Sequence, residues 1–141
     1  MIWVIDASVA VRWFIETETH PSADAVLERV VQQAGSFAVP ELFAFEVHAV
    51  LCRIHPKGTK VFEECLMPIL EGGIYRQPMT SELAHRASSF VKKGLTGYDA
   101  CYAALAVDLK GCWITFDDKA HQLFRKLKVS HSLLRSLPEN W

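Results

Sequence analysis

The chain has 141 residues, half of them hydrophobic and 22% charged, and a formal net charge of −1. That is the composition of a single globular domain with a sizeable core, and it favours nucleic acid neither by excess base nor by deficit. No apolar run is long enough to cross a bilayer, and there is no internal repeat or low-complexity segment.

Ile2-Trp-Val-Ile5 is too short for a helix and predicts a central strand. It meets Asp6 at once, which is not the pattern of a signal peptide, so a cytoplasmic location is the expectation. Asp6-Ala-Ser is turn and N-cap chemistry, and Val9 to Ile15 continues as an apolar helix. After the polar loop from Glu16, a second helix is expected over about Ser22 to Gln33, stopped by Gly35. Phe37-Ala-Val39 is a second strand, closed by Pro40, which suits the first turn of the next helix.

That third helix, Glu41 to about His55, is apolar on nearly every side and calls for cover by the core or a partner subunit. Thr59 to about Leu70 predicts a further helix with Pro68 near its end. A brief strand follows at Ile74-Tyr75, then a helix from Thr80 to about Lys93. Gly94, Thr96 and Gly97 are turn and cap residues, and they place Asp99 in the first turn of an alanine-rich helix running to Val107. Cys112-Trp-Ile-Thr115 reads as a strand, Lys119 to Lys126 as a helix, and Ser132 to Leu134 as a weak last strand. Short apolar strands alternating with helices mean an α/β domain with a mostly parallel sheet.

The four cysteines are Cys52, Cys65, Cys101 and Cys112, scattered without a CxxC pair, which argues against structural zinc; each lies in or beside apolar sequence, where a reduced thiol behaves as a small hydrophobe. Acids outnumber bases up to Glu71 and the balance reverses from Gly72. Such a bias is compatible with phosphate contacts without predicting them.

In a parallel sheet, ligands bind beyond the carboxyl ends of the strands. Asp6 and Asp117 follow strands and belong to that edge; spacing alone does not bring Asp99 there, and its first-turn position is also an ordinary dipole-favoured one. Glu46 sits inside the apolar third helix, where a lone charge is costly unless it is paired, bound to a cation or turned to solvent. Two carboxylates about 5 Å apart repel by roughly 3 kcal/mol at an effective dielectric near 20. A cluster of such groups must therefore be partly protonated or hold a cation, and all-oxygen ligation suits Mg²⁺ or Mn²⁺.

Four blocks together resemble a known family: Ile2–Asp6 with Ala7-Ser8, Pro40-Glu-Leu with Glu46-Val47, Gly94-Leu-Thr with Tyr98-Asp99-Ala100 and Ala104-Leu105-Ala106, and Thr115-Phe-Asp117. Their order and spacing are similar to PIN domains of the VapC-type toxin ribonucleases, over essentially the whole chain, residues 1–141. The resemblance implies a three-layer α/β/α sandwich and an acidic site of Asp6, Glu46, Asp99 and Asp117. Asp6 and Asp99 would be the principal Mg²⁺ ligands, with Mn²⁺ as a substitute, and Glu46 would orient or deprotonate the attacking water. It implies hydrolysis of RNA, such as a tRNA or rRNA, to 5′-phosphate and 3′-hydroxyl ends, a homodimer, and a VapB-like antitoxin over the acidic groove. The helix N-terminus is expected to help keep Asp99 ionised.

Two departures stand out: Ala49 occupies a place where relatives often carry Asn, and Asp118 duplicates Asp117. Ser8 and Thr96 are candidates to orient a carboxylate or phosphate, and read first as plain helix caps. The stripe His48, Cys52, His55 reads as packing or surface rather than a soft-metal site, and Glu46 points roughly 200° away from His48. Tyr98 and Tyr102 could stack on bases, but core packing with one tethered hydroxyl fits better. The aromatic pair Trp13-Phe14 is consistent with extra covered surface. A different Mg²⁺-dependent phosphohydrolase or DNA nuclease, or a non-catalytic binding module of the same fold, are the competing functions.

Overall fold

The computed structural model describes residues 1–141, apart from the side chain of residue 126. Five parallel strands form one sheet in the order β3-β2-β1-β4-β5. They are β1 Trp3–Ile5, β2 Phe37–Pro40, β3 Tyr75–Gln77, β4 Cys112–Thr115 and β5 Ser130–Ser132. Every residue of β1, β2 and β4 is buried, which is why these strands read as unbroken apolar runs. β3 at one edge is largely exposed.

Three helices fill the crossovers on one side: α1 Ala7–Phe14, α2 Pro21–Gln32 and α3 Leu42–Ile54. The link from α3 to β3 is α4 Gly58–Val61, a π-helical turn Phe62–Leu66, and α5 Met67–Leu70. In that turn the Met67 N–H reaches back to the Phe62 carbonyl. The widened turn stands just ahead of Pro68, which has no N–H to continue an α-helical ladder. The remaining helices are α6 Ser81–Val91, α7 Gly97–Asp108 and α8 Asp118–Phe124. The chain moves outward from β1 to β3 and then returns to β4 on the other side of β1. With right-handed crossovers that reversal puts α6 to α8 on the opposite face, giving the three-layer sandwich.

Helix α7 lies across β1, β2 and β4. All of Ala100 to Ala106 is buried, so the alanines let its backbone approach the sheet closely. At its far end Lys110 takes a left-handed conformation and Gly111 begins the return to the sheet. A Cβ on Gly111 would strike the Ile2 carbonyl, so only glycine allows β4 to start beside β1. The C-terminal Trp141 closes this edge, its ring 5.3 Å from Trp3 and 6.1 Å from Phe37.

The sequence expectations differ from the structure in several places, two of them small: Pro40 ends β2, with Glu41 at the N-cap of α3, and β3 runs Tyr75–Gln77 rather than Ile74-Tyr75. α1 begins at Ala7 rather than Val9, because Asp6 itself is the cap. The last strand lies two residues earlier than expected, since Trp113, Ile114 and Thr115 pair with Ser130, His131 and Ser132. Helix α3 is covered along one stripe only, Phe43, Val47 and Leu51, while Phe45 is 75% exposed. One sheet face and α1 cannot wrap more of a helix than that. Trp13 finds cover within the chain, its Nε1–H donating to the Ala23 carbonyl of α2 at 2.8 Å. Among the described residues, no helix is long and apolar enough to cross a membrane.

Candidate active site

The strand order reverses between β1 and β4, and the residues that follow these two strands stand at the switch point of the sheet. Asp6 ends β1 in extended conformation and caps α1. Its Oδ2 accepts the Ser8 N–H at 3.0 Å and its Oδ1 accepts the Trp113 Nε1–H at 3.1 Å. At 7% exposure, burial pushes its pKa up, against the lowering effect of these hydrogen bonds. Ser8 is therefore not the cap. Its Oγ accepts the Phe116 N–H at 3.1 Å and ties the start of α1 to the end of β4.

Glu46 reaches the same edge from α3. Its Oε1 accepts the Tyr102 hydroxyl at 2.8 Å, so the charge does not escape to solvent along a polar strip. Burial raises its pKa to about 7, with Asp6 and Asp99 adding to the rise and the Tyr102 hydrogen bond opposing it. Tyr102 is fully buried and lies stacked on Trp113, 6.1 Å between centroids and 14° between planes. The two rings thus form a shelf whose polar edges hold Asp6 and Glu46. A buried Trp or Tyr needs a partner for its N–H or O–H, and here both partners are carboxylates.

Asp99 lies in the first turn of α7, whose cap Thr96 accepts the Asp99 N–H at 3.2 Å. Its pKa is raised to about 6, first by burial and then by Asp6, with a smaller push from Asp117. The helix terminus does not keep Asp99 in its ordinary range, because desolvation and neighbouring negative charge outweigh the dipole. Asp6, Glu46 and Asp99 line one open cleft of about 530 Å³, together with Ser8, Arg12 and Arg53. Ala49 lines it as well.

Asp117 is set differently. It caps α8, with Oδ1 accepting the Ala120 N–H at 2.9 Å, and its own N–H donates to the Thr115 Oγ1 at 2.9 Å. It faces an adjoining hollow of about 290 Å³ and meets the other acids through Asp99 and Thr96, which line that hollow too. Asp118 turns toward Arg135, 3.8 Å from its Nη2. Among the described residues, no three His, Cys, Asp or Glu groups converge closely enough to hold one ion between them.

The soft-metal stripe resolves into local contacts: the Cys52 Sγ is 3.3 Å from His48 Nε2 and 3.6 Å from Thr59 Oγ1, and the His55 Nδ1 accepts the Lys57 N–H. Tyr98 is not a core residue, being 66% exposed at the mouth of the cleft. Sequence reasoning passed over Trp113, Arg12 and Arg53. For Trp113 the signal was present, since an indole in a buried strand must find an acceptor.

Residues 3–127 match the family model described as PIN domain. None of the curated proteins gives a significant match. Among solved structures, the fold is similar to FitAB bound to an IR36 DNA fragment, at 14% identity and TM-score 0.74, with 98% of this chain and 99% of that one covered. It is also similar to a toxin-antitoxin complex from Klebsiella pneumoniae, at 15% identity and TM-score 0.67, covering 92% and 95%. VapBC2 from Rickettsia felis, bound to a DNA fragment from its promoter, aligns at 13% identity and TM-score 0.66, covering 94% and 98%. With a family model that spans nearly the whole of the parallel sheet and both sides of its acidic switch point, this chain belongs to the PIN domain family.

Proposed function

We propose that the chain is a metal-dependent endoribonuclease that acts as the toxin of a toxin–antitoxin pair, in the cytoplasm. The observation that carries this reading is the meeting of Asp6, Glu46 and Asp99 in one cleft beyond the switch point of the sheet. Burial is the first cause of their raised pKa values, neighbouring acids add to the rise at Glu46 and Asp99, and among the described residues no cationic side chain forms a salt bridge with any of the three. The donor set is all carboxylate oxygen and fits a hard divalent cation, Mg²⁺ or Mn²⁺. Asp6 and Asp99 would hold it, with Glu46 and Asp117 ligating through water.

When bound, such a cation lowers the pKa of water and offsets charge developing on a phosphodiester. The protein's own groups supply the rest. Trp113 and Ser8 fix both oxygens of Asp6, so its carboxylate is oriented before substrate arrives. Glu46, with a pKa of about 7, is matched to taking the proton of the attacking water near neutral pH, and the Tyr102 hydroxyl holds it in place. Attack in line on phosphorus breaks the bond to the 3′ oxygen and leaves 5′-phosphate and 3′-hydroxyl ends.

RNA is the substrate class that the PIN resemblance implies, a tRNA or rRNA among the candidates. The toxin assignment leans on a neighbour that is a toxin–antitoxin complex by name, and a VapB-like antitoxin and a homodimer are part of the same proposal. The test is cleavage of total cellular RNA by the purified chain with Mg²⁺, with EDTA, and in Asp6→Asn and Asp99→Asn. Cleavage that depends on Mg²⁺ and is lost in both variants is expected. Undiminished cleavage in either variant would remove the acidic site from the mechanism, and cleavage of DNA but not RNA would change the substrate.

A further inference from the structure

The acidic cleft has a second wall of opposite charge. Arg12 of α1 and Arg53 of α3 line the same 530 Å³ space as Asp6, Glu46 and Asp99. Each sits further along a helix that also carries an acid of the site. Arg12 is six residues beyond Asp6, about 9 Å along the helix axis, and Arg53 is seven residues beyond Glu46, about 10 Å. Seven residues is two turns, so Glu46 and Arg53 share a face of α3, with Ala49 and Val50 between them along the cleft. The trough between α1 and α3 therefore runs from negative to positive over a distance too long for these arginines to neutralise the acids.

Arg12 is held in place and left uncommitted. Its guanidinium lies over the Phe116 ring, 4.2 Å from the centroid, and its Nη1 donates to the Glu18 carbonyl at 3.1 Å. Its Nε is buried without a hydrogen-bond partner among the described residues. Among the described residues, neither Arg12 nor Arg53 forms a salt bridge, although Glu18 lines the same cleft. A guanidinium stacked on one face keeps its in-plane donors for a planar or tetrahedral oxyanion. Phosphate is the oxyanion whose chain places a second charge beyond the reacting one.

We propose that Arg12 and Arg53 form a phosphate-binding subsite, which seats the backbone phosphate next to the one lying at the carboxylates. The inference rests on the nuclease reading of the acidic edge and adds to it the residues that hold single-stranded RNA in register. It also explains how an anionic substrate enters a cleft lined by four acids, Glu18 among them: the arginines provide the attraction at one end, and Asp6, Glu46 and Asp99 provide the chemistry at the other.

The experiment measures binding of a fluorescent single-stranded oligouridine by the full chain carrying Asp99→Asn, in Mg²⁺, across a salt series. In that chain Arg53→Gln and Arg12→Gln are each expected to weaken binding about tenfold and to flatten the salt dependence by about 0.7 in log K against log [salt] per lost contact. Arg125→Gln, at the opposite edge of the sheet, is expected to leave both unchanged. Arg53 is exposed and supports no packing, so it carries the test if Arg12→Gln lowers the melting temperature. In the chain with Asp99 intact, Arg53→Gln is expected to raise KM with kcat within about twofold. Affinity and slope unchanged in Arg53→Gln and Arg12→Gln would overturn the subsite, as would an equal loss in Arg125→Gln. Salt-dependent binding lost in the arginine variants, with no cleavage by the intact chain, would instead overturn the hydrolytic reading and leave the subsite standing.

Discussion

The two edges of the sheet are built on opposite principles. At the edge where the strands begin, Trp141 packs on Trp3 and Phe37, Gly111 lets β4 start against the Ile2 carbonyl, and the Arg29 guanidinium covers the Trp141 ring at 4.6 Å. At the edge where they end, Asp6, Glu46 and Asp99 face one another and each is pushed toward protonation. One edge is closed by apolar contact; the other keeps like charges together at a cost to stability. The contrast teaches where this fold is stabilised and where stability has been given up for chemistry.

Substitutions should separate the two edges. The largest effect is expected at the acidic edge, where Asp6→Asn or Asp99→Asn should lower RNA cleavage by about 100-fold or more, and Asp99→Asn should leave the thermal midpoint of the metal-free chain unchanged or raised. An Asp99→Asn midpoint that fell in step with activity would mean that this acid holds the fold rather than performs chemistry. At the closed edge Gly111→Ala should do the reverse, costing about 2–3 kcal/mol of stability in denaturant unfolding through overpacking against Ile2. Cleavage by the fraction that stays folded should be near that of the parent. Trp141→Ala, a smaller insult to the same edge, is expected to cost about 1 kcal/mol through its lost aromatic contacts.

The pH dependence sharpens the comparison further. Glu46 rises from 4.5 to about 7 and Asp99 from 3.8 to about 6 on folding. An acid raised in the folded state binds its proton more tightly there than in the unfolded chain. Its favourable share is present below the ordinary value and is lost as pH climbs through the raised one. The advantage of Asp99→Asn over the parent should therefore grow between about pH 4 and pH 6, and Mg²⁺ should erase it; melting curves in matched buffers measure this. The smallest effect is expected for Tyr102→Phe. The hydroxyl favours the charged form of Glu46, so its removal should move the acidic limb of the pH–rate profile upward. A limb that stayed in place would show that a group other than Glu46 sets it.

Much of the fold was legible in sequence because its signals are local. Apolar strands too short for helices, Thr96 at a helix start, and the alanines of α7 each depend on neighbours within a turn or two. The misplaced pieces depended on something further away. β5 was set two residues late, since its own residues Ser130, His131 and Ser132 look polar until β4 supplies the pairing. α3 looked apolar all round, yet sequence carries no measure of how much surface the sheet and α1 can cover.

The same division holds at the candidate site. Asp6 and Asp117 could be assigned to the ligand-binding edge from sequence alone, because each directly follows a buried strand. Chain order could not bring Asp99 beside Asp6, because α7 precedes its strand and nothing local reports how a crossover helix lies on a sheet. Nor could it tell Asp117 from Asp118, which only the cap of α8 and Arg135 distinguish. The Trp113–Tyr102 shelf, the raised pKa values and the two arginines facing the acids likewise arise between residues far apart in the chain. Sequence determined which residues carry charge and which elements they begin or end. Tertiary structure decided which of those charges meet, because burial and electrostatic coupling depend on distances through space that local sequence does not encode.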